Sequence, residues 1–555
     1  MQRRAALAAI VVVAFALRVW GLTWGLYDAN VSRRPHPDEW PVYWLFKWFG
    51  SNHDLDPCPK PGSSCFFDWG TLYPYTAYAV HAIVSPFSWL MPSGTFGPHA
   101  DTVFVWSVLA GRITSALLST LTVVLVYRLA AEAYGPGAGL IAAAVAAVSG
   151  LMIQLAHFAT PDSLTGLLMT GTLLAALLAM KQATRGRFAL AGAAVGLSVG
   201  TEYHMALLAV PVIAAWVISG HQRRSDLLLA LGSAVGAYLL TNIYLLIHPH
   251  EFLAAMKHTL EIRTVDSQLQ YGDRWAPYGP PWLYVVRYPL GYGVGFALAG
   301  WMILATLWAA LKRERADLLF LSWLVVYLLL VSLSPAKFMR YSAPLLPVLA
   351  VLSGRLAADL FRFHRPSLRS LSAAAAVAAL VFSTLYDGAY ASLFTSPDPR
   401  ISAMQWLSKQ DPTPTRVAFE ELPNGLINLP YYASLAGAAP CFAQFTSAKL
   451  PGLAPYIMVD NYDLEEHPRI PDSRVTAFRH ALTTSGKYQV ALTVHAIPSF
   501  LGIKFSIDGS PHDWRYPSHE IVVYEERNPK LHNTGACFAS VQSAAQALYD
   551  GTAQG

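Results

Sequence analysis

Two adjacent carboxylates, in the sequence HPDEW at residues 36–40, are the groups in this chain best suited to acid–base chemistry. They come soon after the first hydrophobic run, residues 5–26, at what should be a membrane surface. Acidic side chains at membrane depth cost roughly 2.5–3.5 kcal/mol each on insertion scales, so such residues mark functional sites. Asp38 alone would suit the cap of an interfacial helix, but a second acid, Glu39, exceeds what a cap requires. The pair is therefore the first candidate for a catalytic site.

Other side chains able to bind sugars, phosphates or protons lie near the ends of later hydrophobic runs. Each also has a structural explanation. An acid that follows a proline is a good helix N-cap, an interfacial histidine can be satisfied locally, and Lys or Arg can snorkel to lipid headgroups. The set comprises Asp68, Arg112, His157, Asp162, Glu202, Lys337, Arg340 and Tyr341. Arg112 differs from the rest because it lies inside a run, where it should face protein or a lipid phosphate.

These residues must be positioned by hydrophobic segments, because 54% of the 555 residues are hydrophobic and only 13% are charged. A soluble chain carries about 25% charged residues, so the composition predicts a polytopic, all-α membrane protein. A helix needs roughly 20 residues to cross a bilayer. Eleven candidate runs lie at residues 5–26, 104–131, 138–157, 163–180, 188–200, 203–219, 227–247, 289–311, 318–334, 341–360 and 371–394. The sequence has no interleaving of basic and aromatic residues of the kind that indicates a nucleic-acid partner.

Basic residues set the orientation of these runs, since cytoplasmic loops carry an excess of Lys and Arg. Such loops occur at residues 1–4, 181–187, 221–224, 312–315 and 362–369. Residues 72–91 must then not cross, and we predict an interfacial or re-entrant helix there, within a first outer loop at residues 27–103. Eleven crossings place the amino end, which suits an uncleaved signal anchor, in the cytoplasm. Most of the polar candidates then gather in connections at the outer face.

After residue 394 the composition changes to that of a water-soluble segment. We therefore predict a transmembrane domain at residues 1–394 and a small extracytoplasmic α/β domain at residues 395–555. A capped amphipathic helix is expected at residues 396–407, and short strands at residues 416–419, 488–494 and 520–524. Such a domain would cap the active-site face or hold an acceptor.

All four cysteines, Cys58, Cys65, Cys441 and Cys537, fall in segments assigned to the outer side, where disulfides persist. Pairing of Cys58 with Cys65 and of Cys441 with Cys537 is one of the three connectivities that the sequence allows. Zinc binding is the alternative, although neither pair has the C-x2-C spacing of zinc sites. No cofactor is certain from the sequence and no metal-ligand set is predicted, while a requirement for a divalent cation is left open.

Several short motifs, taken in order, resemble a known family. After the Asp-Glu pair come DWGTLYPY at residues 68–75, GRITSALL at residues 111–118, a turn at residues 149–162 and RYSAPLLP at residues 340–347. Their order over residues 1–400 is similar to that of the polytopic glycosyltransferases that use polyprenyl-phosphate sugars, the GT-C superfamily. Within it the pattern resembles protein O-mannosyltransferases and the lipid A aminoarabinose transferase. The latter enzymes carry basic residues where this chain has Pro41 and Trp69, so their particular sugar is a poor match.

The resemblance implies a GT-C fold and transfer of a hexosyl or pentosyl group to a lipid, glycan or protein acceptor. Transfer would occur on the extracytoplasmic side of the cytoplasmic membrane, among membrane lipids. Asp38 would be the general base of an inverting reaction, with Glu39 in support. By the same resemblance, the lipid phosphate is bound by Arg112, Lys337, Arg340 and Tyr341. The residues left to position the sugar are Asp68, His157, Asp162 and Glu202.

A second hypothesis from the same residues is a secondary transporter or lipid flippase, because acids near a membrane also serve proton relays. Transporters place coupling sites near the bilayer midplane and have internal repeats. This sequence has no convincing repeat, and its polar candidates lie toward one face. A membrane glycosyltransferase is therefore the principal prediction. The sequence identifies neither the sugar, nor the acceptor, nor the oligomeric state.

Overall fold

Helices dominate the protein, and every described strand lies after residue 416. The computed structural model describes residues 2–26, 36–58, 65–90, 95–96, 102–221, 223–270, 280–334, 337–362, 366–410, 417–419, 440–441, 456–460, 480, 482–511, 513–518 and 520–527. The α-helices are α1 (Gln2–Val19), α2 (Trp40–Asn52), α3 (Leu72–Val84), α4 (Thr102–Tyr134), α5 (Pro136–Ala147), α6 (Gly150–Ala156), α7 (Asp162–Lys181), α8 (Arg185–Val199), α9 (Ala209–Ser219), α10 (Arg224–Thr241), α11 (Pro249–Gln270), α12 (Pro281–Val285), α13 (Gly291–Val294), α14 (Phe296–Lys312), α15 (Arg315–Leu333), α16 (Leu346–Leu360), α17 (Pro366–Ser392) and α18 (Pro399–Gln410).

Each of the eleven predicted runs overlaps a helix, but the predicted number of crossings is not confirmed. Among the described residues, five helices are long and apolar enough to cross a membrane: Thr102–Tyr134, Asp162–Lys181, Arg315–Leu333, Met339–Leu360 and Arg369–Thr395. The pair α5 and α6, bent by 59°, makes a sixth if it is one broken span. Two further apolar helices, Tyr203–Ser219 and Phe296–Lys312, are shorter. Breaks and polar ends therefore shorten several helices relative to the hydrophobic runs.

The segment predicted to form the first outer loop, residues 27–103, contains helices α2 and α3, and its side of the membrane stays a prediction. Phe46 of α2 and Tyr73 of α3 pack together in one buried cluster with Ala110 of α4. The disulfide between Cys58 and Cys65 is present, so that predicted pairing is confirmed. Cys537 lies outside the described residues, and its pairing with Cys441 stays a prediction.

Small residues let α8 and α10 approach closely. A Cβ atom added to Gly192 would lie 2.0 Å from the carbonyl oxygen of Ala230, and one added to Gly196 would lie 2.1 Å from that of Ala234. Helix association in lipid depends on van der Waals packing of this kind, which small residues permit. The close pair brings the end of α8, where Glu202 follows, next to the end of α10.

The tail forms a mixed sheet with strand order β2-β1-β3-β7-β4 and a separate hairpin of β5 and β6. The strands are β1 (Val417–Phe419), β2 (Pro440–Cys441), β3 (Tyr456–Asp460), β4 (Tyr488–His495), β5 (Ser499–Phe500), β6 (Ile503–Lys504) and β7 (Glu520–Glu526). β1 runs parallel to β2 and β3, whereas β7 is antiparallel to β3 and β4. The three predicted strands correspond to β1, β4 and β7, and the predicted helix corresponds to α18.

Candidate active site

The Asp-Glu pair lies on a single 3-10 turn, Pro37–Glu39, which leads directly into α2. The turn is fixed at its start, where the backbone N–H of Asp38 donates a hydrogen bond to Nδ1 of His36 over 3.2 Å. The two acids face different surroundings: the side chain of Asp38 is 30% exposed, whereas that of Glu39 is fully buried. The two adjacent carboxylates therefore lie in different environments, which suit them to different roles.

Glu39 forms a buried, bidentate ion pair with Arg112 of α4. Arg112 Nε lies 2.7 Å from Oε1 and Nη2 lies 2.9 Å from Oε2, and the backbone N–H of Ala159 donates to Oε1 as well, over 2.9 Å. Nη1 of Arg112 donates to the carbonyl oxygens of Leu22 and Trp24. With four of its five N–H donors directed at protein oxygens, Arg112 is not arranged to bind a lipid phosphate. The phosphate-binding role expected of Arg112 from the sequence stays a prediction.

Asp38 instead pairs with Arg340, whose Nη2 lies 3.1 Å from Oδ2 of Asp38. Arg340 belongs to the 3-10 turn Met339–Leu345, which precedes α16. The guanidinium carbon lies 4.7 Å from the ring centre of Phe338 and 5.6 Å from that of Tyr341. Such contacts orient a planar guanidinium while leaving its edge able to bind an anion. Tyr341 therefore supports Arg340 through its ring.

Asp162 opens α7 and faces the same charges. Its carboxylate interacts electrostatically with those of Glu202 and Asp38 and with the guanidinium of Arg340. The N-cap explanation does not apply, because Asp162 lies inside the helix and the preceding Pro161 takes the cap position. The structure therefore brings Asp38 and Asp162, from two separate stretches of chain, close to Arg340.

Glu202 is held at the break between α8 and the turn that begins at Tyr203. Its Oε2 accepts a hydrogen bond from Oγ1 of Thr165 over 3.0 Å and lies 3.6 Å from Nε2 of His204. The same histidine nitrogen lies 3.0 Å from the hydroxyl of Tyr327 on α15. These contacts fix the carboxylate of Glu202 beside Asp162.

Asp68 lies in a loop that is joined to this break by backbone hydrogen bonds. The N–H of Gly70 donates to the carbonyl of Thr201, and that of Leu72 to the carbonyl of Gly200, each over 3.1 Å. A side chain on Gly70 is excluded, because its Cβ would lie 2.0 Å from the oxygen of Gly200. The carboxylates of Asp68 and Glu202 are brought together in this way.

A cavity of about 190 Å³ separates those two acids from α11, and it is lined by Asp68, Trp69, Glu202, Tyr203, Met256, Thr259 and Leu260. The pKa of Asp68 is raised, first by desolvation and then by the negative charge of Asp38, while His258 lowers it. Carboxylates and aromatic rings around one cavity suit the binding of a polyol, whose hydroxyls need acceptors and whose C–H faces pack on rings.

His157 and Lys337 lie apart from this cluster. The two ring nitrogens of His157 lie 2.8 and 3.0 Å from backbone carbonyl oxygens of Ile153 and Trp20, and its ring stacks on Phe394. Nζ of Lys337 donates to the carbonyls of Val331 and Ser332, over 2.9 and 2.8 Å, at the end of α15. Both side chains thus contact backbone carbonyl groups. The sugar-positioning role expected of His157 and the phosphate-binding role expected of Lys337 stay predictions.

The tail contributes two residues that sequence reasoning missed. Oδ2 of Asp513 accepts the backbone N–H of Arg340 over 3.3 Å, and the ring of Tyr516 lies 4.6 Å from that of His36. Charged and aromatic residues alternate in the sequence DWRY at residues 513–516, which is the only signal the sequence offers. Contacts between segments so far apart in the chain cannot be deduced from one sequence.

One group of potential metal ligands occurs among the described residues: Asp56, Cys58 and His248. Cys58 is bonded to Cys65 and so offers no thiolate. Nε2 of His248 lies 2.8 Å from Oδ2 of Asp56, an arrangement that suits a hydrogen-bonded pair joining the first outer loop to the start of α11. This group does not identify a metal centre.

A family model described as dolichyl-phosphate-mannose-protein mannosyltransferase matches residues 102–249. The matched stretch includes Arg112, Asp162 and Glu202 and does not reach Asp38 or Arg340. The match confirms the resemblance found in the sequence and indicates a membrane glycosyltransferase, and it does not favour the transporter hypothesis. No curated protein sequence matches the chain.

Solved structures of glycosyltransferases are similar to this chain over most of its length. ArnT from Cupriavidus metallidurans, bound to undecaprenyl phosphate, is 15% identical with a TM-score of 0.48, and the match covers 94% of this chain and 97% of that one. The oligosaccharyltransferase of Archaeoglobus fulgidus in the apo form is 14% identical with a TM-score of 0.49, and the match covers 92% of this chain and 75% of that one.

Proposed function

We propose that this protein transfers a sugar from a polyprenyl-phosphate carrier to an acceptor, with inversion at the anomeric carbon, on the extracytoplasmic side of the cytoplasmic membrane. The observation that carries the proposal is the contact between Asp38 and Arg340, 3.1 Å apart, with Asp162 beside them. A partly exposed carboxylate and a cation sit together among further acids at one end of the helices. Transfer from a phosphate-linked sugar needs this combination: a base for the acceptor and a positive charge for the leaving group.

In the proposed reaction, Asp38 is the general base. The acceptor hydroxyl oxygen attacks the anomeric carbon, a new carbon–oxygen bond forms, and the hydroxyl proton moves to the carboxylate of Asp38. The bond from the anomeric carbon to the phosphate oxygen breaks on the opposite face, and its electron pair stays with the phosphate. Attack opposite to the leaving group inverts the anomeric carbon, and no covalent enzyme intermediate is needed.

The leaving group is a polyprenyl phosphate, which departs as a phosphate monoester. Its second pKa is about 6, so it needs charge stabilisation and little protonation. Arg340 supplies that stabilisation, because a guanidinium offers five N–H donors and one contact with Asp38 leaves others to bind phosphate oxygens.

The sugar is positioned by Asp68, Asp162 and Glu202, in and beside the cavity of about 190 Å³. Trp69 and Tyr203 line that cavity and offer apolar faces. The sugar is a hexose or pentose, and the acceptor, a lipid, glycan or protein, approaches Asp38 from the outer side. The proposed reaction contains no step that requires a divalent cation.

Glu39 and Arg112 support the base and take no part in the proton transfer. Their ion pair ties the turn that carries Asp38 to α4 and to the turn at Ala159. In the proposed topology the amino end is cytoplasmic, residues 1–394 form the membrane domain, and residues 395–555 lie outside. The charges of the loops support that orientation.

Sugar transfer by the full-length protein in proteoliposomes tests the proposal. A panel of hexosyl and pentosyl polyprenyl phosphates serves as donors, and the product's anomeric configuration is determined by NMR. Asp38→Asn should lower the transfer rate about 100- to 10,000-fold, the range that a positioned general base contributes. Asp54→Asn is the matched control, because Asp54 is an exposed acid of the same outer loop whose Oδ1 accepts a hydrogen bond from Tyr244.

Asp54→Asn should stay within about twofold of the native rate, as expected for a surface substitution. Full activity in Asp38→Asn, with an unchanged amount of protein in the membrane, would contradict the assignment of the base. Retention of the anomeric configuration in the product would contradict direct displacement.

A further inference from the structure

A loop of the tail, residues 508–511 and 513–516, is fixed to the helical region by its backbone. We call it the tail loop. The hydroxyl of Tyr292 donates to the carbonyl of Asp508 over 2.9 Å, and Nε2 of Gln154 donates to that of Asp513 over 2.5 Å. The hydroxyl of Tyr390 donates to the carbonyl of Trp514 over 2.8 Å. Three helices, α6, α13 and α17, thus hold this loop.

Ring packing strengthens the attachment. The indole of Trp514 is fully buried and stacks on Tyr390, with ring centres 3.7 Å apart and an interplanar angle of 15°. Stacked aromatic pairs stabilise a contact beyond the apolar area they bury. The tail loop is therefore fixed to the helical region both by hydrogen bonds to its backbone and by aromatic packing.

From this fixed position, two side chains reach the groups assigned to catalysis. Tyr516 packs against His36 with ring centres 4.6 Å apart, and Phe158 packs against the same imidazole at 4.3 Å, with the ring centres of Phe158 and Tyr516 6.0 Å apart. Asp513 accepts the backbone N–H of Arg340 over 3.3 Å. His36 and Arg340 are the immediate neighbours of Asp38.

We infer that the tail loop is a positioning element of the active site: Tyr516 holds His36, Asp513 holds Arg340, and the two contacts together set the geometry of the Asp38–Arg340 pair. The inference rests on the proposed function of Asp38 as the base. Neither tail residue is a catalytic residue, because each acts through its neighbour. The tail then belongs to the reaction centre whichever acceptor the protein uses.

The histidine in this arrangement must remain neutral. Its Nδ1 accepts the N–H of Asp38, and a protonated imidazole has no acceptor nitrogen. Burial lowers the pKa of His36 to about 4; the charges of Asp38 and Glu39 oppose that shift, and those of Arg340 and Arg112 add to it. Tyr516 supplies one wall of this enclosure, so removing its ring admits water to His36 and weakens the desolvation.

Positioning can be separated from simple packing by its pH signature. In Tyr516→Ala the imidazole should charge nearer to its ordinary value of about 6.5. The transfer rate at pH 7.5 should fall about 10- to 100-fold, as expected for a misplaced base, and the acidic limb of the rate profile should move up toward pH 6. Tyr516→Phe keeps the ring and should restore both the rate and the profile.

Asp513 is tested by a second pair of variants. Asp513→Ala removes the acceptor of the Arg340 N–H and should lower the transfer rate, whereas Asp513→Asn retains an acceptor oxygen and should recover most of it. Asp508→Asn is the control in the same loop, since Oδ2 of Asp508 accepts a hydrogen bond from the hydroxyl of Ser506 and Tyr292 contacts only the backbone carbonyl of Asp508. Tyr456→Ala, an aromatic truncation in β3 beside Trp406, controls for general damage to the tail.

Hydrogen exchange of the peptide that spans residues 36–40 gives a readout that does not depend on activity. The amide of Asp38 should exchange faster in Tyr516→Ala than in the native protein, Tyr516→Phe or Tyr456→Ala, because its hydrogen bond to His36 is weakened. If Tyr516→Ala fails to accumulate, Tyr516→Leu, which keeps apolar volume without an aromatic face, takes its place.

The outcomes separate the inference from the proposed function. If the native protein transfers no sugar from any donor, the proposed function fails, and the exchange experiment still decides whether the tail loop holds the turn. If the native protein is active and Tyr516→Ala has the native rate, pH profile and exchange, the inference is overturned. It is also overturned if Tyr456→Ala loses activity to the same extent with the same profile, because the effect is then general destabilisation.

Discussion

Two acid–arginine pairs lie side by side in this protein and differ in nearly every respect that matters. Glu39 and Arg112 are both buried and meet through two hydrogen bonds; Glu39 also accepts a backbone N–H, and Arg112 also donates to two backbone carbonyls. Asp38 and Arg340 meet through one contact, and both remain partly exposed. A buried ion pair whose groups are hydrogen-bonded to protein is rigid and unreactive. A partly exposed ion pair can exchange its partners. In the proposed function, these adjacent residues have different roles: Glu39 supports the site, and Asp38 takes part in the reaction.

The comparison predicts that breaking the buried pair damages the fold before it affects chemistry. Glu39→Ala leaves Arg112 buried and uncompensated, and such losses destabilise by about 3–5 kcal/mol. Thermal unfolding in detergent should therefore shift strongly downward, and little protein should reach the membrane. Replacing both members, with Glu39→Leu and Arg112→Met, should recover much of the stability. Equal damage from Asp38→Asn would remove the distinction between the pairs.

A second prediction concerns the pH dependence of stability. His36 has an ordinary pKa in the unfolded chain and a pKa of about 4 in the folded protein. Between pH 6.5 and pH 4 the unfolded state binds a proton that the folded state excludes, so stability falls as the pH falls, by about 3 kcal/mol in total. In His36→Gln this contribution should vanish, so the difference in unfolding free energy between the two proteins should change across that window. A difference that is constant with pH would contradict the burial of a neutral imidazole.

A third prediction concerns the exchangeable pair. Arg340→Ala should weaken binding of undecaprenyl phosphate about 10- to 100-fold, in line with the loss of a charge-assisted contact, measured by titration in nanodiscs. Arg340→Lys should recover part of the affinity, because a lysine keeps the charge and lacks the planar fork. Arg355→Lys is the control, since Arg355 pairs with Asp359 on α16, away from Asp38. Unchanged phosphate binding in Arg340→Ala would exclude Arg340 as the phosphate site.

The smallest expected effect concerns an ion pair that is as close as the buried pair but is exposed to solvent. Lys181 and Glu132 form an ion pair with Nζ and Oε1 2.8 Å apart, yet both side chains are about 40% exposed. Exposed pairs contribute about 0–1 kcal/mol. Glu132→Gln should therefore change the unfolding midpoint very little at moderate salt. A loss similar to that of Glu39→Ala would mean that distance, and not burial, decides the strength of these pairs.

The sequence was sufficient to place the acids and Arg340 near one another, because hydropathy and loop charges assign them to one face. It is not sufficient to place Arg112, Lys337 and His157, for which it predicts ligand-binding roles and which contact protein groups in the structure. Whether a buried donor meets a ligand or a carbonyl depends on which backbone segment lies opposite, and periodicity contains no information about that.

For the fold, too, local features could be predicted from the sequence and long-range contacts could not. Local patterns located the helices, three strands of the tail and the disulfide at Cys58, since these depend on nearby residues. The contact of Tyr516 with His36 depends on how the tail lies against the helices, and such pairing has no local signal. The lengths of the helices also departed from the hydrophobic runs wherever a glycine or polar break intervened, as at residues 200–202.

The backbone bonds that join Gly70 and Leu72 to Gly200 and Thr201 have a consequence for engineering. Because these two distant segments share hydrogen bonds and leave no room for a Cβ at Gly70, they form a single exchangeable unit. A chimera that takes the loop around Asp68 from a homologue must take the break before Glu202 from the same parent. Grafting either segment alone would leave donors and acceptors out of register, and the cavity lined by Asp68 and Glu202 would lose its shape.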